Sequence, residues 1–389
     1  DSYASNFGRV ITRGLWAYGM YAANGAKATN ESGGKITTNG QSAHGMYAYG
    51  SDSEVENWGT ITTHGDYAHG MYAYNSGSTA TNTGTITTKG GSARGMYAYD
   101  GSTATNEGTI TTNGQYAFGM FAANGSTATN EGTITTHGTD AHGMYATAGA
   151  TATNEAEGTI TTHGDSAHGM CAYDGSTATN EGTITTHGQF ALGMYAVNGS
   201  TATNEGTITT KGEGANGMCA YDGSTATNEG TITTNGQFAY GMFAYGSGST
   251  ATNEGTITTH SYYAYGVYAN GFGSTATNET GGTITTNGDS AHGMYAWNYS
   301  TVTNETEGTI TTHGDSAYGM CADASATATN KGTITTHGQG ALGMYAVSGS
   351  TATNESGGKI TTNGDYASGM YAWDGSTATN NGSITTYGE

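Results

Sequence analysis

Residues 177–200 read TATNEGTITTHGQFALGMYAVNGS, and near-copies of this stretch run through the whole chain. Within it, Thr or an aromatic residue alternates with Ala, Ile or Met, while Gly and Asn fall between the alternating runs. Alternation at period two marks strands and the intervening residues mark turns, so one copy spells three short strands. β-branched Thr and frequent Gly oppose a helix, and no 3.6-residue apolar stripe is present.

Aligned on the isoleucine of TITT, the copies have anchors at Ile11, Ile36, Ile61, Ile86 and Ile110, and onward through Ile360 to Ile384, spaced 24 to 27 residues apart. No linker or shift in composition interrupts them, which predicts one continuous repeat domain over residues 1–389. Parity then assigns faces. With Ile184 inward, Thr186 is inward as well, while Thr183 and Thr185 point out. In the same copy Ala178 and Asn180 point in, as do Met194 and Ala196, leaving Tyr195 and Val197 outside. Ile110, Ile134, Ile160 and Ile184, with Met120, Met144, Met170 and Met194, are the expected core columns. The glycine before each Met reads as a bend or bulge.

Three strands per copy, with one inward residue type at each position, describe an all-β, single-stranded parallel β-helix of about 16 coils. At ~4.8 Å per coil the stack is a rod on the order of 75 Å long. Such a core is a thin column, which suits a chain with 67 Gly and no Pro in which Ala dominates the apolar residues. The formal charge of −21 disfavours nucleic acid and anionic membranes as main partners. No apolar run is long enough for a transmembrane helix.

The columns also carry the candidate chemistry. An inward Asn closes the first strand of each complete copy, including Asn82, Asn106, Asn130, Asn154, Asn180, Asn204, Asn228 and Asn253; a hydrogen-bonded ladder of amides is the expectation. Glu follows that Asn from Glu107 to Glu305, a solvated edge at which weak Ca²⁺ bridging is the one cofactor expectation. Histidines fall after TITT (His64, His137, His163) and before GM (His44, His69, His142), and read as solvated surface groups. No converging zinc set is evident, and metal, cofactor and catalytic sites are all expected to be lacking. Cys171, Cys219 and Cys321 replace the outward Tyr beside Met, and are expected as surface thiols or links between chains. Outward Thr pairs flank the isoleucine, as at Thr133 and Thr135 or Thr183 and Thr185. With Tyr173, Trp297 and Trp373 they form the candidate contact surface.

The stretch EGTITTHGDSAHGM, residues 157–170, and its variants resemble repeats in the passenger regions of bacterial autotransporter proteins. The resemblance implies a right-handed β-helix, secretion, a cell-surface location and an adhesive role. No C-terminal barrel follows the repeat, and both ends read as uncapped coils, which predicts self-association into an end-to-end stacked filament. The Thr lattice also resembles the ice-binding face of β-helical antifreeze proteins. Binding of surface glycans by exposed Tyr and Trp is the third expectation, and none of the three requires an enzyme.

Overall fold

Four-residue strands account for nearly all the regular structure of the computed structural model, which describes residues 2–388 and contains no α-helix among them. The chain divides into two compact units, residues 1–191 and 192–389. In the first unit the TATN-type strands, from Tyr3–Asn6 to Thr177–Asn180, form one parallel sheet. The TITT-type strands, from Arg9–Thr12 to Thr183–Thr186, form a second, and the GMYAY-type strands, from Met20–Ala23 to Met170–Tyr173, form a third. The second unit repeats this arrangement, from Met194–Val197 to Ser383–Thr386. Each unit is therefore a parallel β-solenoid with three strands per coil.

Pairing is in register wherever the repeats are regular, so like residues stack on like. Ile86 lies opposite Ile61 and Ile110, and Met96 opposite Met71 and Met120. The alternation follows: in TATN and TITT strands the second and fourth side chains are buried, and the first and third face out. Ile110, Ile134, Ile160, Ile184, Met120, Met144, Met170 and Met194 are all fully buried. In most coils the inward Thr is satisfied locally, its hydroxyl donating to the carbonyl five residues on, as in Thr88 to Ala93 at 2.6 Å, whereas the hydroxyls of Thr38, Thr336 and Thr362 lack a partner.

One reading is corrected here and a second is narrowed. In the first coil Val10, not Ile11, pairs with Ile36, and Ile11 is 40% exposed. The run Val10-Ile11 gives two candidates for the inward position, and a slip of one residue exchanges the faces. The glycine before Met is a bend, as at Gly45, and of the two alternatives the bulge falls away, since its backbone pairs normally: Gly45 N–H donates to the His69 carbonyl at 2.9 Å and Met46 N–H to the Gly70 carbonyl at 3.0 Å. It is Gly because the isoleucine of the next coil packs on it. A Cβ at Gly45 would lie 2.3 Å from Ile61 Cγ2 and 2.5 Å from the Gly70 carbonyl oxygen.

Candidate contact surface and its buried polar columns

At the corner between the first and second sheets the asparagines form an amide-to-amide ladder. Asn82 Nδ2 donates to Asn106 Oδ1 at 2.7 Å, Asn106 to Asn130 at 2.7 Å, and Asn130 to Asn154 at 2.7 Å. Asn154 donates to Asn180 at 2.8 Å, and in the second unit Asn204 to Asn228 at 2.7 Å and Asn228 to Asn253 at 2.8 Å. The same Nδ2 also reaches the carbonyl of its own turn glycine, as in Asn130 to Gly132 at 3.1 Å. These side chains are fully buried, so each rung satisfies groups that no water reaches.

The Thr pairs lie on the outer face of the second sheet, Thr133 and Thr183 exposed and Thr135 and Thr185 half-buried. The adjoining histidines, His64 and His137 among them, are exposed. On the Glu edge, Glu131, Glu155 and Glu157 border an open cleft of about 460 Å³. Burial, then the charges of Glu181 and Glu131, raise the carboxyl of Glu155 above its ordinary value.

The outer face of the third sheet is built differently, from three adjacent columns: the residue before Gly-Met, the residue after Met, and the residue two further on. Register alignment stacks their rings. Tyr47 and Tyr72 lie 4.9 Å apart at 13°, Tyr72 and Tyr97 4.6 Å apart at 4°, and Phe121 and Tyr145 5.2 Å apart at 5°. Tyr49, Tyr74 and Tyr99 repeat the pattern alongside at about 5.5 Å, within the preferred range for aromatic pairs. In such a ladder the ring faces cover one another, and solvent meets mainly edges and hydroxyls. Tyr173 continues the stack, 5.1 Å from Tyr145, whereas Trp297 and Trp373 are 41% and 64% exposed.

This packing overturns the solvated reading of the histidines before Gly-Met. His44, His69 and His292 are buried, while His142 and His168 are half-buried. The His44 and His69 rings stack at 4.8 Å and 4°, with Tyr72 standing edge-on to both. Each Nδ1 accepts a backbone N–H from the next coil: His69 N donates to His44 at 3.1 Å, His168 N to His142 at 3.0 Å and Tyr318 N to His292 at 3.0 Å. The ring proton therefore sits on Nε2 and the imidazole is neutral. Burial holds His44 and His292 down to about 3 and His168 to about 4, with Arg94 adding to the effect at His44.

The cysteines are also corrected: Cys171, Cys219 and Cys321 are free thiols but buried, at 0%, 6% and 3% exposure. A thiol in a tyrosine position is shorter than the rings around it, so it lies beneath their level. Burial pushes the Cys219 thiol up to about 12 and Cys171 well above its usual range, leaving both protonated. Ligand atoms of His142, His168 and Cys171 come within 4.8 Å of one another. The two imidazoles, however, stack at 4.8 Å and 7°, and His142 Nδ1 already accepts a hydrogen bond, so their lone pairs do not converge on one point. As arranged, the cluster is neutral packing.

Arg94 is a singular residue that the repeat concealed. It occupies a position held in most other coils by His, Tyr, Phe or Leu, with its guanidinium carbon 4.4 Å from the Tyr97 ring centroid and 3.9 Å from that of Phe121. Cation–π contacts take the place of a carboxylate partner there.

The fold and its surfaces define a parallel β-solenoid whose outer faces carry its distinctive side chains. By sequence the chain belongs to the family of the BigA third pectate lyase-like domain, whose model matches residues 1–114, 95–158, 141–240, 223–272 and 259–389. No curated protein matches it. Among solved structures it is similar to a chain of the Vag8–C1 inhibitor complex determined by cryo-EM, with a TM-score of 0.62 and 17% identity over 98% of this chain and 97% of that one. Family and fold together agree with the passenger-type β-helix reading of the repeats.

Proposed function

We propose that the chain is an extracellular adhesive scaffold of the autotransporter passenger type, binding through the outer face of its third sheet. The observation that supports this most is the set of in-register aromatic columns on that face, which offers edges and hydroxyls over many consecutive coils. Tyr is an effective contact residue because it carries a large apolar area and a polar tip at low cost in side-chain entropy. The similar solved chain comes from the Vag8–C1 inhibitor complex, and that likeness supports a protein-binding role for this chain. The role proposed is binding rather than catalysis. Beads coated with the purified chain should adhere to host or environmental cell surfaces, and a Tyr49→Ser, Tyr74→Ser, Tyr99→Ser variant should adhere at least several-fold less. Equal adhesion by the variant and the parent would refute the assignment of the face.

Two narrower readings have support of their own. Self-association into filaments is favoured by in-register coils of near-identical sequence, since one coil can pair with a coil of another chain as it pairs with its neighbour. Negative-stain images showing only short monomeric rods over a wide concentration range would exclude it. Ice binding is favoured by outward Thr pairs repeated at strand spacing. Inhibition of ice recrystallisation should vanish when Thr133, Thr135, Thr183 and Thr185 become bulky, and a parent chain without inhibition ends that reading.

A further inference from the structure

The outermost column of the second unit lacks a ring in several coils, and at Asn270 the gap falls between two aromatic neighbours. In register it runs Tyr221, Tyr245, Asn270, Trp297. Tyr221 and Tyr245 stack at 5.2 Å and 25°, and the stack stops there because the next coil supplies an amide. Two strand spacings separate the backbone positions of Tyr245 and Trp297, or about 9.6 Å. A ring inserted midway would lie about 4.8 Å from each neighbour. That is the separation at which rings in this column system already stack, as for Phe243 and Tyr268 at 4.8 Å.

The gap opens into a cleft of about 270 Å³, bordered by Tyr245, Ser247, Asn270, Phe272, Trp297 and Asn298. That volume suits one ring-sized ligand and lies below the usual range for drug-sized ones. Asn270, shorter than the rings on either side and 8% exposed where both of them are 41% exposed, forms the floor. Phe272, 74% exposed on its turn, borders the opening. No other ring packs against Trp297 among the described residues, so its indole is available to a ligand, unlike the rings within the ladders.

Aromatic walls over an amide floor match a pyranose, which has apolar C–H faces and a rim of hydroxyls. The border carries no cation, and Asp323 occupies the coil after Trp297. A carboxylated sugar is thus disfavoured and a neutral one favoured. We propose that the cleft between Tyr245 and Trp297 over Asn270 is a subsite for one neutral pyranose unit of a surface glycan. The proposal rests on the adhesive reading only for the source of that glycan.

The test is titration of the full chain with the methyl pyranosides of glucose, galactose and mannose, and with glucuronate, followed by ligand-observed NMR and tryptophan fluorescence. At least one neutral pyranoside should bind with a Kd on the order of 1–10 mM, and glucuronate should bind at least about tenfold more weakly. Asn270→Tyr restores the missing ring with a residue the column already uses, so the fold should persist while binding is lost. Trp297→Ala should weaken binding about tenfold or more. Absence of pyranoside binding at ~50 mM, or unchanged binding by Asn270→Tyr with its melting temperature retained, overturns the subsite. The bead assay separates the two readings: adhesion that depends on Tyr49, Tyr74 and Tyr99 without any pyranoside binding refutes the subsite alone, whereas pyranoside binding without adhesion refutes the adhesive role alone.

Discussion

Replacing Asn154 by Ala removes one rung from the middle of a fully buried ladder. Asn154 Oδ1 accepts from Asn130 at 2.7 Å, and Asn154 Nδ2 donates to Asn180 Oδ1 at 2.8 Å and to the Gly158 carbonyl at 3.1 Å. Alanine leaves the Asn180 oxygen without this donor, while the Gly158 carbonyl keeps the Thr183 N–H at 2.9 Å. Asn130 retains only its bond to Gly132. At ~1–3 kcal/mol for each of the two buried amide groups that lose this partner, the expected loss is about 2–6 kcal/mol. Urea denaturation followed by circular dichroism should read that loss, and amide exchange should quicken first in the turn from Glu155 to Gly158.

Asn154→Asp sharpens the test because it keeps the shape and changes only the hydrogens. An ionised carboxylate there still accepts from Asn130 but sets an oxygen against Asn180 Oδ1 and the Gly158 carbonyl. Burial and repulsion raise its folded pKa above the unfolded value, so the variant is least impaired below that unfolded value and loses stability as pH rises through the folded one. A loss below about 1 kcal/mol in Asn154→Ala, together with a flat pH dependence in Asn154→Asp, would refute the ladder as a source of stability.

Acid sensitivity should arise from the buried histidines: with folded pKa values near 3 for His44 and His292 against an ordinary 6.5, the unfolded chain binds the extra proton, so stability is complete above pH 6.5 and falls by up to ~1.4 kcal/mol per pH unit per histidine toward pH 3. His292→Tyr, a residue the column uses at Tyr265 and Tyr318, should flatten part of that slope, and an unchanged acid midpoint would contradict it. Gly143→Ala sets a Cβ 2.2 Å from Ile160 Cγ2 and should cost at least ~3 kcal/mol, whereas Ser166→Gly, at φ 53°, should be neutral or stabilise by up to ~1 kcal/mol; thermal melts decide both. The three thiols should resist maleimide in the native chain and react fully in denaturant. Rapid native labelling of Cys171 would contradict its burial.

Period-two parity sufficed to place Ile184, Met194 and the outward threonines, because strand alternation is a local property of the backbone. It failed where a second layer of side chains lies outside the strand. His44, His69 and Cys171 point away from the solenoid core, as parity says, yet neighbouring rings cover them. Only register, which sets like residue on like at stacking distance, reveals that cover. Parity also could not choose between Val10 and Ile11, where either residue satisfies the alternation. Arg94 and Asn270 were legible as departures within their columns, but their meaning depends on which rings stand above and below. The close packing of Ile61 on Gly45 was hidden for the same reason, since it joins residues of different coils.

In-register pairing has an evolutionary consequence as well. Unequal recombination that inserts or deletes one whole repeat within a unit leaves each column continuous: Asn again meets Asn, and Ile again rests on Gly. Gain or loss of a coil is then close to neutral for folding while it alters how many outward-facing positions are displayed. Under the adhesive role proposed above, copy number becomes a heritable dial for avidity, adjustable without the invention of a single new contact.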